Sequence, residues 1–337
     1  MVFTASTPEI TAIRACEILS EYWGIKGRVQ FLTSERDQNI LVATDGGSRY
    51  ILKVSHPDED RMVSNLQTTA LLHIMSGDPH LPVPQIIPTL KGEAEFFISL
   101  PDGQESMVRL MSFLEGSHVQ IADVSPEMAE HIGYTAGRLD IALSDCEHPA
   151  GNHDFLWDTR KLVELSSFLD CIEDEEKRSL TGHFVDVLCT DILPRLASLP
   201  QQLIHNDLNL GNMLFTDNSV SGIIDFGDML RAQRVIDPAN ACAYLAVNAD
   251  DPFRLSRTMA YKYIEANPLT SEEKEILPYL IIGRCLVTIL VTNWRASIHP
   301  HQAGRILRHE PNAYALVKNL ESFQHNLSDF FWENHNV

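Results

Sequence analysis

A chain of 337 residues, 44% of them apolar, has ordinary globular composition and enough length for two lobes, each with its own core. Twenty-six basic residues against 46 acidic ones leave a formal charge of −20, which argues against a nucleic-acid partner, since phosphate backbones are held by clustered Lys and Arg. The acidic excess keeps the surface solvated and helps to attract a small cationic partner.

The six cysteines (Cys16, Cys146, Cys171, Cys189, Cys242 and Cys285) are scattered without metal-ligand or redox spacing, so they are read as reduced thiols of a cytoplasmic protein. Met1 to Ser6 lacks the basic stretch and apolar run of a secretion signal. The most apolar segment, Leu280 to Trp294, is interrupted by Arg284 and is too short to span a bilayer. It is expected to be a buried helix, and no membrane association is expected.

In chain order, Thr7 is placed to cap a first helix with Pro8 in its first turn, and Ile10, Ile13 and Leu19 recur at near-helical spacing. Past Gly24 and Gly27, residues 28–33, 39–44 and 48–54 read as three strands. Asp45-Gly46-Gly47 supplies the tight turn between the last two. A helix is expected over about 58–76, then a proline-punctuated loop over 80–88. Residues 93–99 and 106–111 form a second hairpin around Pro101-Asp102-Gly103. The first 110 residues therefore suggest a five-stranded antiparallel sheet with helices packed on it. Beyond Gly116 the chain reads as helical, with a strand-rich interruption near 203–226. The expected organisation is α+β: an N-lobe over 1–110, a hinge over 111–116 and a larger helical C-lobe over 117–337.

The chemistry is concentrated in two polar clusters bounded by apolar runs, His205-Asn206-Asp207-Leu208-Asn209-Leu210-Gly211-Asn212 and Ile224-Asp225-Phe226-Gly227-Asp228. Two carboxylates and an amide carried on adjacent turns can converge on one point. Phosphoryl transfer needs such a convergence: an acceptor for the nucleophile's proton and hard oxygen ligands for the cation on the triphosphate. A purely structural reading would have Asp207 and Asp225 cap turns between core strands. Lys53 adds weight. Period two puts it beside Ile51 on a half-buried strand face, where a lysine wants an anionic partner unless it snorkels to water.

H-x-D-x-x-x-x-N followed by I-D-F-G-D resembles the catalytic loop and metal-binding segment of the aminoglycoside phosphotransferase and choline kinase superfamily, a protein-kinase-like fold. The resemblance implies that Asp207 is the catalytic base, that Asn212 and Asp225 hold Mg²⁺, and that His205 buttresses the loop. Lys53, in the third strand, would grip the phosphates of ATP, with GTP an open alternative. The position that would carry its acidic partner is Asn65, which is not acidic; Glu59 and Asp60 lie a turn or more earlier. The first hairpin tip, Ser34-Glu35-Arg36-Asp37-Gln38-Asn39, has no glycine. Ser34 and the loop amides would cover the phosphates there, or the tip is a plain exposed turn. In the hinge, backbone groups near Ser112 and Leu114 would read the adenine edge.

A finer resemblance is to the hydroxylysine-kinase branch, carried by Ser55-His56-Pro57-Asp58-Glu59-Asp60, Gln67 to Leu72, Val108 to Met111 and Pro311-Asn312-Ala313-Tyr314. It implies a small, hydroxyl-bearing, cationic acceptor, an amino alcohol or hydroxy amino acid. Choline, homoserine and aminoglycosides are the neighbouring options, and a nucleotide-binding pseudokinase is the option of another class. Asp228 and Asp237 are candidates to line or buttress the acceptor groove, with Asp237-Pro238 alternatively opening a helix. Arg284 and Arg295, eleven residues apart in an apolar helix, would either hold a substrate carboxylate or make structural ion pairs.

Overall fold

The computed structural model describes residues 8–34, 36–246, 251–323 and 326–333. The first helix starts later than expected: α1 runs Ala12–Trp23, and Thr11 Oγ1 accepts a hydrogen bond from the Arg14 N–H. The expected cap, Thr7, lies outside the described residues. Gly24, at φ 66°, ends the helix in the left-handed region that glycine enters without a Cβ clash.

Strands β1 (Gly27–Leu32), β2 (Gln38–Thr44) and β3 (Arg49–Val54) pair antiparallel in sequence order. Next come α2 (Arg61–Gly77), capped by Asp60, then β4 (Ile86–Ile87), β5 (Phe96–Ser99) and β6 (Glu105–Ser112). One edge of β6 pairs with β3, and its other edge carries β5 and β4 in tandem. The sheet thus has six strands rather than five. The extra one, β4, is two residues long inside the proline-rich loop, too short to show an alternating pattern.

Arg109 on β6 stands opposite Lys53 on β3 and is buried. Its Nη1 donates to Ser64 O at 2.9 Å and Thr68 Oγ1 at 3.0 Å, and its Nη2 donates to Gln67 Oε1. These bonds fasten α2 to the sheet, since a buried guanidinium must find acceptors.

The remainder is mainly helical: α3 (Pro126–Leu143), α4 (Leu162–Leu165), α5 (Glu175–Val187), α6 (Leu193–Leu196), α7 (Ile236–Leu245), α8 (Arg254–Ala266), α9 (Ser271–Ile298), α10 (Ala303–Ile306), α11 (Glu310–Asn319) and α12 (Leu327–Glu333). Two small antiparallel ribbons interrupt it. One pairs β7 (Gln201–Ile204) with β10 (Leu230–Gln233), and the other pairs β8 (Met213–Thr216) with β9 (Ser219–Ile223). The strand-rich interruption therefore extends to residue 233. By length and composition α9 could cross a membrane. Its apolar residues are nevertheless buried against α7, α11 and α12, as expected for a core helix. At Gly133 the backbone of α8 comes so close to α3 that a Cβ would stand 2.1 Å from Met259 O.

Two apolar cores result. The smaller lies between α1 and the sheet and includes Ile18, Leu19, Ile40, Val42, Leu52, Val54 and Leu110. The larger is built on α3 and α7–α9, and it also takes Leu66, Ala70, Leu71 and Ile74 of α2. Residues 112–116 connect the sheet to the helical part, and the two polar clusters sit on the two connections between the ribbons, β7 to β8 and β9 to β10.

Candidate active site

The loop after β7 is held from beneath. Asp237, buried at the start of α7, accepts the backbone N–H groups of His205 (2.8 Å) and Asn206 (2.6 Å). Asn206 stands at φ 66° and is locked by Asn240 Nδ2, which donates to its carbonyl at 2.8 Å. A left-handed non-glycine residue persists only where surrounding bonds over-determine it. Behind Asp237 lies the buried Asp140, which accepts from the Tyr263 hydroxyl. Burial pushes both carboxyls above the usual range, as expected of two acids that share a proton in a dry site.

His205 is fully buried and joins the two clusters. Its Nδ1 accepts from the Asp207 N–H at 3.3 Å, which puts the proton on Nε2, and Nε2 donates to Ile224 O at 3.1 Å. The ring of Phe226 meets the imidazole edge-on at 4.8 Å. Asn212 makes a second tie, because its carbonyl accepts the Ile224 N–H at 2.9 Å. Ile224 is thus gripped twice, and Asp225 follows it at φ 61° with its carboxylate exposed to the cleft.

Asp207 has both carboxylate oxygens engaged. Oδ2 accepts from Asn209 Nδ2 at 2.8 Å and from Asn212 Nδ2 at 2.7 Å. Oδ1 accepts from Arg284 Nη2 at 2.8 Å. Arg284 rises from α9 with 4% of its surface exposed. It also donates to the Tyr244 hydroxyl (3.0 Å) and Trp157 O (3.3 Å), and its guanidinium lies within 6 Å of both of those rings. Of the two possibilities the sequence left open for Arg284, the structural ion pair is the one formed. Asp228 lies nearby, and its carboxyl is pushed up to about 8 by burial and by the charges of Asp207 and Asp225, against the pull of Arg36 and Arg284.

Lys53 is 7% exposed, and its Nζ lies 2.8 Å from Asp37 Oδ2. The missing acidic partner therefore comes from the β1–β2 loop. Asn65 bonds Glu95 Oε1 (2.6 Å) and His148 Nε2 (3.0 Å) and supports α2 rather than Lys53. Glu59 faces Arg36 at 3.5 Å, and Asp60 is spent as the helix cap. Asp37 was legible in principle. The hairpin register sets Asn39 opposite Lys53 and Gln38 opposite Val54, so residue 37 arrives just past the end of β3.

Burial raises the Asp37 carboxyl, but Lys53, Arg36 and the His56 N–H outweigh it and hold it at about 2. A folded-state pKa depressed from 3.8 contributes stability above the unfolded value that is lost as pH falls through about 2. The shift corresponds to about 2.5 kcal/mol at pH 7 and roughly half of that at pH 3. Asp37→Asn should therefore lower urea-unfolding stability by about this much at pH 7, with the gap to wild type narrowing toward pH 3. A gap independent of pH would assign the loss to packing.

Ser34 is half-buried in the same loop. In the connector, the Ser112 N–H donates to Gln85 O at 2.9 Å, and its hydroxyl accepts the Gln85 N–H at 2.9 Å. The Phe113 N–H goes to Arg49 O. Of the backbone groups near Ser112 and Leu114 expected to read the adenine edge, the Ser112 N–H is thus taken by Gln85, just before β4. Leu114, two residues on, keeps an uncommitted backbone N–H among the described residues. Arg295 is not brought to the site: eleven residues along α9 carry it about 16 Å from Arg284. The adjacent Trp294 stacks on Phe168 at 4.7 Å, as a core contact.

The donors fit a hard divalent cation. Asp225 is exposed, with Oδ1 accepting a long hydrogen bond from the Gly227 N–H at 3.4 Å, and Asn212, whose Nδ2 is spent on Asp207, leaves its Oδ1 without a partner among the described residues. No group of three His, Cys, Asp or Glu side chains converges among the described residues. Most coordination positions would then fall to phosphate oxygens and water, the arrangement that Mg²⁺ favours over an all-protein cage.

Residues 28–273 match the phosphotransferase enzyme family. The hydroxylysine kinase of Bos taurus is 22% identical over 317 residues, covering 87% of this chain and 84% of that protein. Among solved structures, a microcompartment-associated aminopropanol kinase superposes with a TM-score of 0.71 at 19% identity, covering 93% of this chain and 98% of the other. An amicoumacin kinase in complex with AMP-PNP, Ca²⁺ and its antibiotic superposes with a TM-score of 0.67 at 15% identity, covering 89% and 93%. At these identities the structural likenesses establish the fold.

Proposed function

This chain belongs to the phosphotransferase enzyme family and is a small-molecule kinase, and from that premise we propose that it transfers the γ-phosphoryl of ATP to the hydroxyl of an amino alcohol or hydroxy amino acid of the hydroxylysine type. The observation that carries the reading is the linked trio: Asp207 bonded to Asn212 at 2.7 Å, with Asn212 tied through Ile224 to the exposed carboxylate of Asp225. Asp207 accepts the acceptor hydroxyl's proton and aims its oxygen at the phosphorus. Asn212 and Asp225 would hold Mg²⁺, which would supply charge neutralisation for the transferring phosphoryl group. Lys53, fixed by Asp37, grips the phosphates, and His205 keeps the loop and the Asp225 turn in register. Positioning and charge neutralisation carry the reaction.

The acceptor class rests on the similarity to hydroxylysine kinases over most of the chain and on the charge of the groove. Asp228 lies beside Asp207 and Asp225, which hold its proton on, and an ammonium group bound there would favour its ionised form. Arg284 is committed to Asp207, so an acceptor carboxylate finds no partner there. Transfer rather than mere nucleotide binding is favoured because Lys53 has its carboxylate after all; its absence was the sole feature suggesting a pseudokinase. A cytoplasmic setting, where ATP and Mg²⁺ are abundant, follows from this reading.

The test is a phosphoryl-transfer assay with Mg·ATP and Mg·GTP across hydroxylysine, homoserine, choline, ethanolamine and aminoglycosides. Turnover is expected with ATP and with one of the amino-alcohol or hydroxy amino acid acceptors. Preference for choline or an aminoglycoside by more than tenfold in kcat/KM would overturn the acceptor class.

A further inference from the structure

Arg36 sits at the tip of the β1–β2 loop, next to Asp37, and reaches across the cleft to the Asp225 turn. Its Nη2 lies so close over Gly227 that a Cβ at that position would be 2.4 Å away. The turn is thus shaped to admit the guanidinium. Three-quarters of the side chain is withdrawn from solvent, yet its anionic neighbours stay at arm's length: Glu59 at 3.5 Å from Nε and Asp228 at 3.8 Å from Nη2. None of its N–H groups makes a hydrogen bond to a described residue. A guanidinium carries five donors in a planar fork, and one withdrawn from water without acceptors is an anion site waiting to be filled.

Its location says which anion. On one side stands Lys53, joined through Asp37; on the other stands Asp225. Building on the kinase reading, we propose that Arg36 is a nucleotide-phosphate ligand supplied in cis. Its side chain clamps the terminal phosphates from above, the task that backbone amides perform where such a loop is rich in glycine. The loop has no glycine from Thr33 to Thr44, so its amides are less free to approach phosphate oxygens, and the long side chain bridges the gap. Gly227 is then required for a steric reason: any side chain there would evict the guanidinium.

The experiment is equilibrium binding of Mg·AMP-PNP and of adenosine, without acceptor, to wild type, Arg36→Met and Arg36→Lys. Arg36→Met should weaken AMP-PNP binding about 10- to 100-fold, the worth of hydrogen bonds to a charged group, and leave adenosine affinity unchanged. Arg36→Lys should recover part of the loss, as a point charge without the fork. Three results would overturn the proposal. Unchanged AMP-PNP affinity would leave Arg36 for the acceptor or for neither substrate. Tighter AMP-PNP binding would make it a latch that phosphates displace. Equal weakening of adenosine would mean that the loop's fold was damaged. Failure of the wild type itself to bind AMP-PNP would instead sink the kinase reading on which the proposal rests.

Discussion

Asp207→Asn is expected to lower kcat about a thousandfold while leaving the affinity for Mg·ATP within about twofold of wild type, since general-base removal costs roughly 10²- to 10⁴-fold. Asparagine is the informative substitution because it is isosteric. It offers oxygen to Arg284 or to the Asn209 and Asn212 amides without moving the loop, whereas alanine strips Arg284 of its carboxylate partner. Leaving that buried guanidinium unpaired costs about 3 kcal/mol or more. Asp207→Ala should therefore be inactive and also clearly less stable to urea, and Asp207→Asn, which keeps one acceptor oxygen but turns an NH2 toward the remaining donors, should be inactive and intermediate in stability. Single-turnover transfer and urea melts of both variants separate chemistry from folding. An Asp207→Asn variant that kept more than a tenth of wild-type kcat would remove Asp207 from the reaction.

Arg284→Met should produce the second large effect, and it differs in kind. Arg284 bonds Asp207, the proposed base, so on that reading it acts by positioning. It fixes the Asp207 carboxylate from beneath while the two asparagine amides fix it from the side. Without it the carboxylate can rotate, and misplacement of order 1 Å costs about a hundredfold in rate. The loss should fall on kcat, with KM for ATP and for the acceptor little changed. In an Asp207→Asn background the same substitution should cost nothing further, because residues that act as one unit are not additive. Arg284→Lys should restore part of the rate, since Tyr244 and Trp157 still frame a cation. A rise in acceptor KM at constant kcat would instead make Arg284 a substrate ligand.

The parts of this site that were legible from sequence alone are those within one turn of each other. Asp207, Asn212, Asp225 and His205 are spaced so that two short ribbons can bring them together, and the apolar runs around them show where the ribbons lie. Lys53 was legible because a lysine inside an alternating apolar strand is an anomaly that needs an anion. The β1–β3 hairpins, α2 and the helical character of the second half follow in the same way, from period and turn chemistry.

Other features needed strand register or longer-range packing to be read. Asp37 and Arg36 sit in a polar loop that looks like any exposed turn, and only the register of β2 on β3 turns one toward Lys53 and the other toward Gly227. Asn65 occupies the place on the next helix where an acidic partner of Lys53 was expected, and in the structure it bonds Glu95 and His148 instead. Two arginines on one apolar helix were equivalent as letters. One lies beneath Asp207 and the other about three turns away, a distinction that depends on where α9 crosses the loop. The Asp140–Asp237 pair needed α3 and α7 to be brought together across a hundred residues.

What the sequence by itself determined is the fold class, the family and the candidate site's polar clusters, because periodicity, turn residues and short-range spacing act within a few residues of chain. Only the tertiary structure decided which charges face which: Lys53 with Asp37, Asp207 with Arg284, Arg36 against the Asp225 turn. Electrostatic partners are chosen by distance in space and by exclusion of water, and neither is written into the order of residues along the chain.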